Sequence, residues 1–256
     1  MSSPAPKTIL FLGATGGVGL SALRRALAAN HTCIALCRTP SKLAAHFPSD
    51  PAPSNLRLVQ GNAHDAATLA TCLVHPSDPA RLVDAVVFSI GARPTLRGMD
   101  DPHVCERGME ALLAALRTCR REKGAAAGGF KPRLVAVSST GISDFGRDIP
   151  LAMVPLYRVA LHTAHRDKKA MERLVVGSGG ETEWTLIRGS FYTSGPETEG
   201  LVREGMEDPV TGRVDAEGGG VPIGYTISRE DVGKWVFENC LQGGEKWVGK
   251  AAVITY

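Results

Sequence analysis

The sequence predicts an α/β protein whose parallel sheet is covered by helices on both faces. Two observations carry this: short apolar, β-branched runs recur along the chain, and the stretches between them carry apolar residues at helical spacing. A third is a glycine-rich turn that joins the first such run to the first helical stretch.

Taken in order, the runs at 8–12, 32–37, 56–60, 83–90, 134–138 and 184–188 read as strands. Residues 18–29, 66–73 and 104–121 read as helices, with Asp65 and Asp101 placed to cap the second and third. Each crossover is long enough for one helix, as parallel neighbours require. The segment 124–129, Gly-Ala-Ala-Ala-Gly-Gly, predicts a flexible surface connection into the fifth strand and not a domain boundary. After Arg188 the pattern loosens through Pro222, then recovers as a strand at 223–228 and a helix at 230–241. The expectation is one domain over 1–256, with a substrate-side insert at about 190–222 and no internal repeat.

With 256 residues, 43% of them hydrophobic, the chain can bury a full core. Its 29 basic and 26 acidic residues are too evenly matched to suggest nucleic acid, so a small-molecule partner is expected. The first seven residues lack the features of a signal peptide, and no apolar run is long enough for a membrane span. The six cysteines show no CxxC spacing and fall mostly in apolar segments, as reduced packing residues do, which predicts a cytoplasmic protein. No exposed apolar stripe fixes an oligomeric state.

The turn Gly13-Ala14-Thr15-Gly16-Gly17-Val18-Gly19 follows a strand and opens a helix, the context a dinucleotide fingerprint requires. Gly13 permits the tight turn, Gly16 lets backbone approach a pyrophosphate, and Gly19 allows helix to pack closely on strand. The amides of the helix N-terminus then face the phosphates. Its spacing is GxxGxxG, without the two-residue first step of many NAD dehydrogenases. At the end of the second strand, where an acidic residue would bind the ribose hydroxyls of NAD, Arg38 stands instead, followed by Lys42. Two cations there suit the 2′-phosphate of NADP(H), which a guanidinium meets in a bidentate fork. Asn62 and Ala63 fall where an amide would lie beside the adenine. Ser89, Ile90 and Gly91 fall where backbone would run close to the ribose.

These motifs together resemble the NAD(P)H-binding, NmrA-like group of atypical short-chain dehydrogenases/reductases. GATGGVG at 13–19, CRTPSKL at 37–43, VQGNAHD at 59–65, VVFSIGA at 86–92 and VAVSSTG at 135–141 fall in the family's order. DKKAMERLV at 167–175, WTLIRG at 184–189 and SREDVGKWV at 228–236 continue the match. The resemblance implies a Rossmann doubly wound sheet with a small C-terminal substrate lobe and bound NADP(H). The stretch QGNAHD and the following helix also resemble fungal oxidoreductases of secondary metabolism, including the averufin oxidase type.

Typical members of the wider superfamily pair a Tyr with a Lys four residues on and add a Ser after the fifth strand. Ser138 and Ser139 are in place, but Ala164 stands four residues before Lys168. The resemblance assigns Lys168 to the nicotinamide ribose. Tyr157 lies eleven residues upstream and Tyr192 follows the sixth strand, so either reaches the site only if its loop folds back. The proton sources left open are His165, Tyr157, Ser139 and water. Three functions remain in view: a reductase or dehydrogenase acting on a small carbonyl, quinone or secondary-metabolite substrate, a redox-neutral isomerase or cyclase, and a non-catalytic NADP-binding regulator. His162, His165 and Asp167 have helical metal spacing without a further His or Cys cluster, so no metal is expected. Arg188 is expected to point into the crevice at the strand ends, with pairing to a carboxylate as its alternative. Gly189, where the family commonly has Pro, predicts a looser loop. Arg93 and Arg97 read as loop charges or as receivers of an acidic ligand.

Overall fold

The computed structural model describes residues 5–47, 53–92, 94–95, 98–123, 130–214 and 220–256. Arg93, Arg97 and the 124–129 connection lie outside the described residues. Strands β1 (Thr8–Leu12), β2 (Thr32–Cys37) and β3 (Leu56–Gln60) alternate with helices α1 (Gly17–Ala28) and α2 (Pro40–Ala44). Helix α3 (Ala66–Leu73) is followed by the hairpin β4 (Val74–His75) and β5 (Asp78–Leu82), then β6 (Ala85–Phe88) and the two-residue strands β7 (Pro94–Thr95) and β8 (Gly98–Met99). Helix α4 (Val104–Lys123), strand β9 (Arg133–Ser139), and helices α5 (Val154–Val159) and α6 (His162–Gly177) lead to β10 (Glu183–Gly189). The C-terminal part holds β11 (Phe191–Thr193), β12 (Arg203–Glu207), β13 (Thr226–Ser228), α7 (Arg229–Val236) and β14 (Lys250–Thr255).

Eight strands form one sheet in the order β12-β14-β10-β9-β6-β1-β2-β3, parallel except for the antiparallel β12. From β3 inwards and out again this is the doubly wound order, with its switch point between β1 and β6. The alternation of side chains along each strand divides the core in two. Ile9, Phe11 and Val87 pack under α1 and α7, whereas Leu10, Leu12, Val86 and Phe88 pack under α3, α4 and α6. Both faces being covered, β1 is buried at all five positions. Asp65 caps α3 by accepting from the amide of Ala67 at 3.0 Å, as its position predicted. The start of α4 is held from a distance: both carboxylate oxygens of Asp167, on α6, accept from the amides of Cys105 and Glu106 at 2.9 Å. Asp101 accepts instead from the amide of His103, just before that helix.

Four elements differ from expectation. The run at 223–228 narrows to β13, which pairs with β11 outside the main sheet. β14, absent from the sequence reading, inserts beside β10, and β12 from within the 190–222 segment forms the sheet's edge. The expected helix at 230–241 is α-helical only to Val236 and then widens into a π-helical turn. All six cysteines are buried. Among the described residues no helix is long and apolar enough to cross a membrane.

Candidate dinucleotide site

A cavity of about 890 Å³ opens at the carboxyl ends of the parallel strands, around the switch point between β1 and β6. A second, of about 590 Å³, lies at the opposite strand ends beside Lys7, Asp84 and Arg133. Open α/β sheets take ligands at the carboxyl side, and the glycine turn faces the larger cavity, which is therefore the candidate site.

The three glycines of the fingerprint do different work. Gly13 has φ +91°, and a Cβ there would lie 2.7 Å from the backbone of Ser89. A Cβ on Gly19 would lie 2.2 Å from the Ser89 hydroxyl and 2.6 Å from the Gly13 carbonyl oxygen, so this glycine sets the approach of α1 to the strand ends. A Cβ on Gly16 meets nothing within 4 Å, because that position faces open cavity. Ser89 closes the turn by donating to the carbonyls of Leu12 and Gly13 at 3.1 and 3.2 Å. Helix α1 has neither a side-chain cap nor an acid in its first turn, so its N-terminal amides and dipole remain available to an anion. This is the chemistry a dinucleotide diphosphate needs.

The cavity lining contains Gly13, Thr15, Gly16, Gly17, Val18, Arg38, Lys42, Asn62, Ala63, Ser89, Ile90, Gly91 and Lys168. Arg38 and Lys42 are exposed, at one end. Asn62 keeps its amide oxygen engaged with the backbone of His64 at 3.1 Å. Lys168 reaches from α6 and donates to the carbonyl of Val137 at 2.9 Å. Tyr192 and Arg229, from the C-terminal part, also line the cavity.

Six expected site residues are not brought to the lining, among them Gly19, which packs against Ser89 and the Gly13 carbonyl instead. Arg188 is the clearest correction. Its guanidinium is buried between Glu172, which it meets at 2.7 Å, and Glu207, at 2.5 Å. Burial alone would lower its pKa, but the two carboxylates outweigh that and raise it. The carboxylate alternative is thus the realised one, and Arg188 ties β10 to α6 and β12. Ser138 is fully buried, with its carbonyl taken by the Tyr192 hydroxyl at 2.8 Å, and Ser139 is nearly so. Tyr157 packs against His165 with ring centroids 5.0 Å apart and lies over Gly141, its hydroxyl 3.4 Å from that of Thr140. Burial raises the Tyr157 pKa. Burial, with Lys168 and His162 nearby, brings His165 down to about 4, so it is neutral at pH 7.

Gly189 does not loosen its loop. Its amide donates to the Tyr192 hydroxyl at 3.2 Å, and a Cβ there would lie 2.6 Å from that same oxygen. A proline would remove the donor and occupy the hydroxyl's place. Glycine at 189 and tyrosine at 192 therefore go together, and Tyr192 becomes a fixed wall of the cavity. With its hydroxyl donating to Ser138 and its pKa raised by burial, Tyr192 is poorly suited to move a proton.

Buried titratable groups of the fold have opposed pH dependences. His165, depressed to about 4, contributes stability present above pH 6.5 that is lost as pH falls towards 4. Asp148, buried and bound to the amide of Gly141, is pushed up to about 6, so its contribution is present at low pH and lost as pH rises towards 6. His31 is lowered by burial and acts in the same direction as His165. Asp148→Asn is therefore expected to steepen the loss of stability between pH 6 and 4, by up to about 1.4 kcal/mol per pH unit. Urea denaturation of both proteins across that range measures it; parallel curves would refute it.

The sheet order and the glycine cradle at its switch point define a dinucleotide-binding protein of the Rossmann type. Residues 13–242 match the NAD(P)H-binding family model, and the chain belongs to this family. It is 35% identical to the reductase pytE of Aspergillus terreus over 279 aligned positions that cover all of both chains. It is 32% identical to the oxidase pynE of Aspergillus niger, covering 100% of this chain and 99% of that one. Among solved structures, a short-chain dehydrogenase/reductase of Veillonella parvula in complex with NADP superposes with a TM-score of 0.67 at 14% identity, covering 98% of this chain and 95% of that chain. At that identity the likeness concerns the fold.

Proposed function

We propose that this protein is an NADP(H)-dependent oxidoreductase acting on a small organic carbonyl, quinone or secondary-metabolite substrate. The observation that carries the reading is the order of groups along one cavity: Arg38 and Lys42 at one end, the glycine cradle, then Lys168 and Tyr192. The names of the fungal relatives, a reductase and an oxidase, support it. In this reading residues 1–256 act as one nicotinamide-binding unit of a cytoplasmic protein, and Tyr192 represents the 190–222 segment at the substrate.

Bound NADP(H) would supply or accept a hydride at its nicotinamide. The chain's own residues then have separate tasks. Arg38 and Lys42 hold the 2′-phosphate, Asn62 and Ala63 border the adenine, and Ser89, Ile90 and Gly91 form the backbone wall beside the ribose. Lys168, fixed by the Val137 carbonyl, binds the nicotinamide ribose. With Tyr157, His165 and Ser139 away from the cavity lining, water is the proton source that fits among those the sequence offered.

The test is loss of NADPH absorbance with a carbonyl and quinone panel, run on the unmutated protein and on Lys168→Met. Turnover is expected, with Lys168→Met raising the cofactor KM while kcat stays within about threefold, as for a group that binds ground and transition states alike. A collapse of kcat with unchanged cofactor affinity would instead make Lys168 part of a proton-transfer machinery. Ala164 in the dyad position favours a second reading, an NADP-binding regulator. Tight NADPH binding with no turnover of any panel member would select it.

A further inference from the structure

The glycine turn contains no cation of its own, and the cations at 38, 42 and 168 sit at the two ends of the cavity. Between them stands Arg229, the first residue of α7, to which the dinucleotide fingerprint assigns no role. Its side chain lies directly over the start of α1: a Cβ on Gly17 would sit 3.0 Å from Arg229 Cδ. The guanidinium carbon is 6.0 Å from the centre of the Tyr192 ring, and Nη1 donates to the Ser194 hydroxyl at 3.2 Å. Among the described residues no carboxylate lies within ion-pair distance of it. Nε and Nη2 make no hydrogen bond among those residues either.

The placement is rigid. Helix α7 packs so closely on α1 that a Cβ on Gly233 would lie 2.2 Å from the Ser21 hydroxyl. Ser228 caps α7 by accepting from the Asp231 amide at 3.0 Å. A guanidinium fixed beside the positive end of the α1 dipole is unfavourable by itself and becomes favourable when an anion lies between the two. We infer that Arg229 is a binding residue for the diphosphate of the dinucleotide, closing over the glycine turn from the side opposite to the α1 amides. A guanidinium with free N–H groups suits a phosphate oxygen. The Tyr192 face and Ser194 hydroxyl hold its plane in place.

This rests on the cavity taking NADP(H), and the experiment separates the two claims. Arg229→Met and Arg229→Lys, checked for folding by circular dichroism and thermal melting, are titrated with three ligands. NADPH and 2′-phospho-ADP-ribose both carry the diphosphate; adenosine 2′-monophosphate carries only the phosphate assigned to Arg38. Arg229→Met should weaken the first two by about 10-fold to 100-fold and leave the third within about twofold, with Arg229→Lys between. Should Arg229→Met fail to fold, Arg229→Lys carries the same comparison with a smaller loss. Unchanged NADPH affinity, or an equal loss for all three ligands, overturns the assignment while leaving the cofactor reading intact. Unchanged NADPH affinity with a raised substrate KM would move Arg229 to the substrate and likewise overturn it. An unmutated protein that binds no NADPH removes both claims.

Discussion

Replacing Arg188 by Met is expected to destabilise the protein by about 3–5 kcal/mol, the cost of leaving buried charge without its partner. The side chains of Arg188, Glu172 and Glu207 are only 4%, 6% and 2% exposed, so water cannot take over the role of the guanidinium. Among the described residues the Glu207 carboxylate also accepts from the Ser143 hydroxyl at 2.8 Å, which is far weaker than a cation. The loss should be less than additive with Glu172→Gln, since that change removes one of the carboxylates Arg188 neutralises. Urea unfolding of the two single variants and the double variant measures this. A loss below about 1 kcal/mol in Arg188→Met would mean that the carboxylates take up protons or rearrange at little cost.

Arg38→Ala is expected to remove most of a preference for NADPH over NADH. Loss of a charged phosphate contact costs about 1.5–3 kcal/mol, roughly 10-fold to 150-fold in affinity. Arg38 is exposed and has no ion pair among the described residues, so nothing in the protein competes for its guanidinium. The same exposure makes the preference sensitive to salt, and Lys42 should retain a fraction of it. Calorimetric titration with both cofactors decides this. Equal affinities in the unmutated protein would remove the role of Arg38.

The parts of the fold that were legible in the sequence are those fixed by local pattern. The β1 turn and α1 announce themselves because three glycines each answer a separate steric demand within seven residues. The buried strands of a parallel sheet also read as short apolar runs. Strand β14 did not, because six residues near the C-terminus become a strand only by pairing with β10 on one side and β12 on the other. Arg188 illustrates the same limit for a side chain. Its direction is set by Glu172 and Glu207, 16 and 19 residues away and on different elements. Tyr157 and Tyr192 were equivalent in sequence, and only packing separates them. Tyr157 is buried against His165, whereas Tyr192 is turned to the cavity by hydrogen bonds to Ser138 and Gly189. The absence of proline at 189 was the one local signal for that arrangement. Arg229 sits in a motif that was recognised, SREDVGKWV, but its place over Gly17 depends on α7 packing against α1.

The central claim is that the glycine cradle receives a dinucleotide, and calorimetric titration of NADPH into the unmutated protein and Gly16→Val tests it most directly. Gly16 has an extended backbone that any residue adopts, and its missing side chain faces open cavity, so valine should leave circular dichroism and melting unchanged. It would fill the space of the pyrophosphate. The account predicts saturable binding to the unmutated protein and none to a fully folded Gly16→Val; retained binding in the variant, or no binding in the unmutated protein, would contradict it.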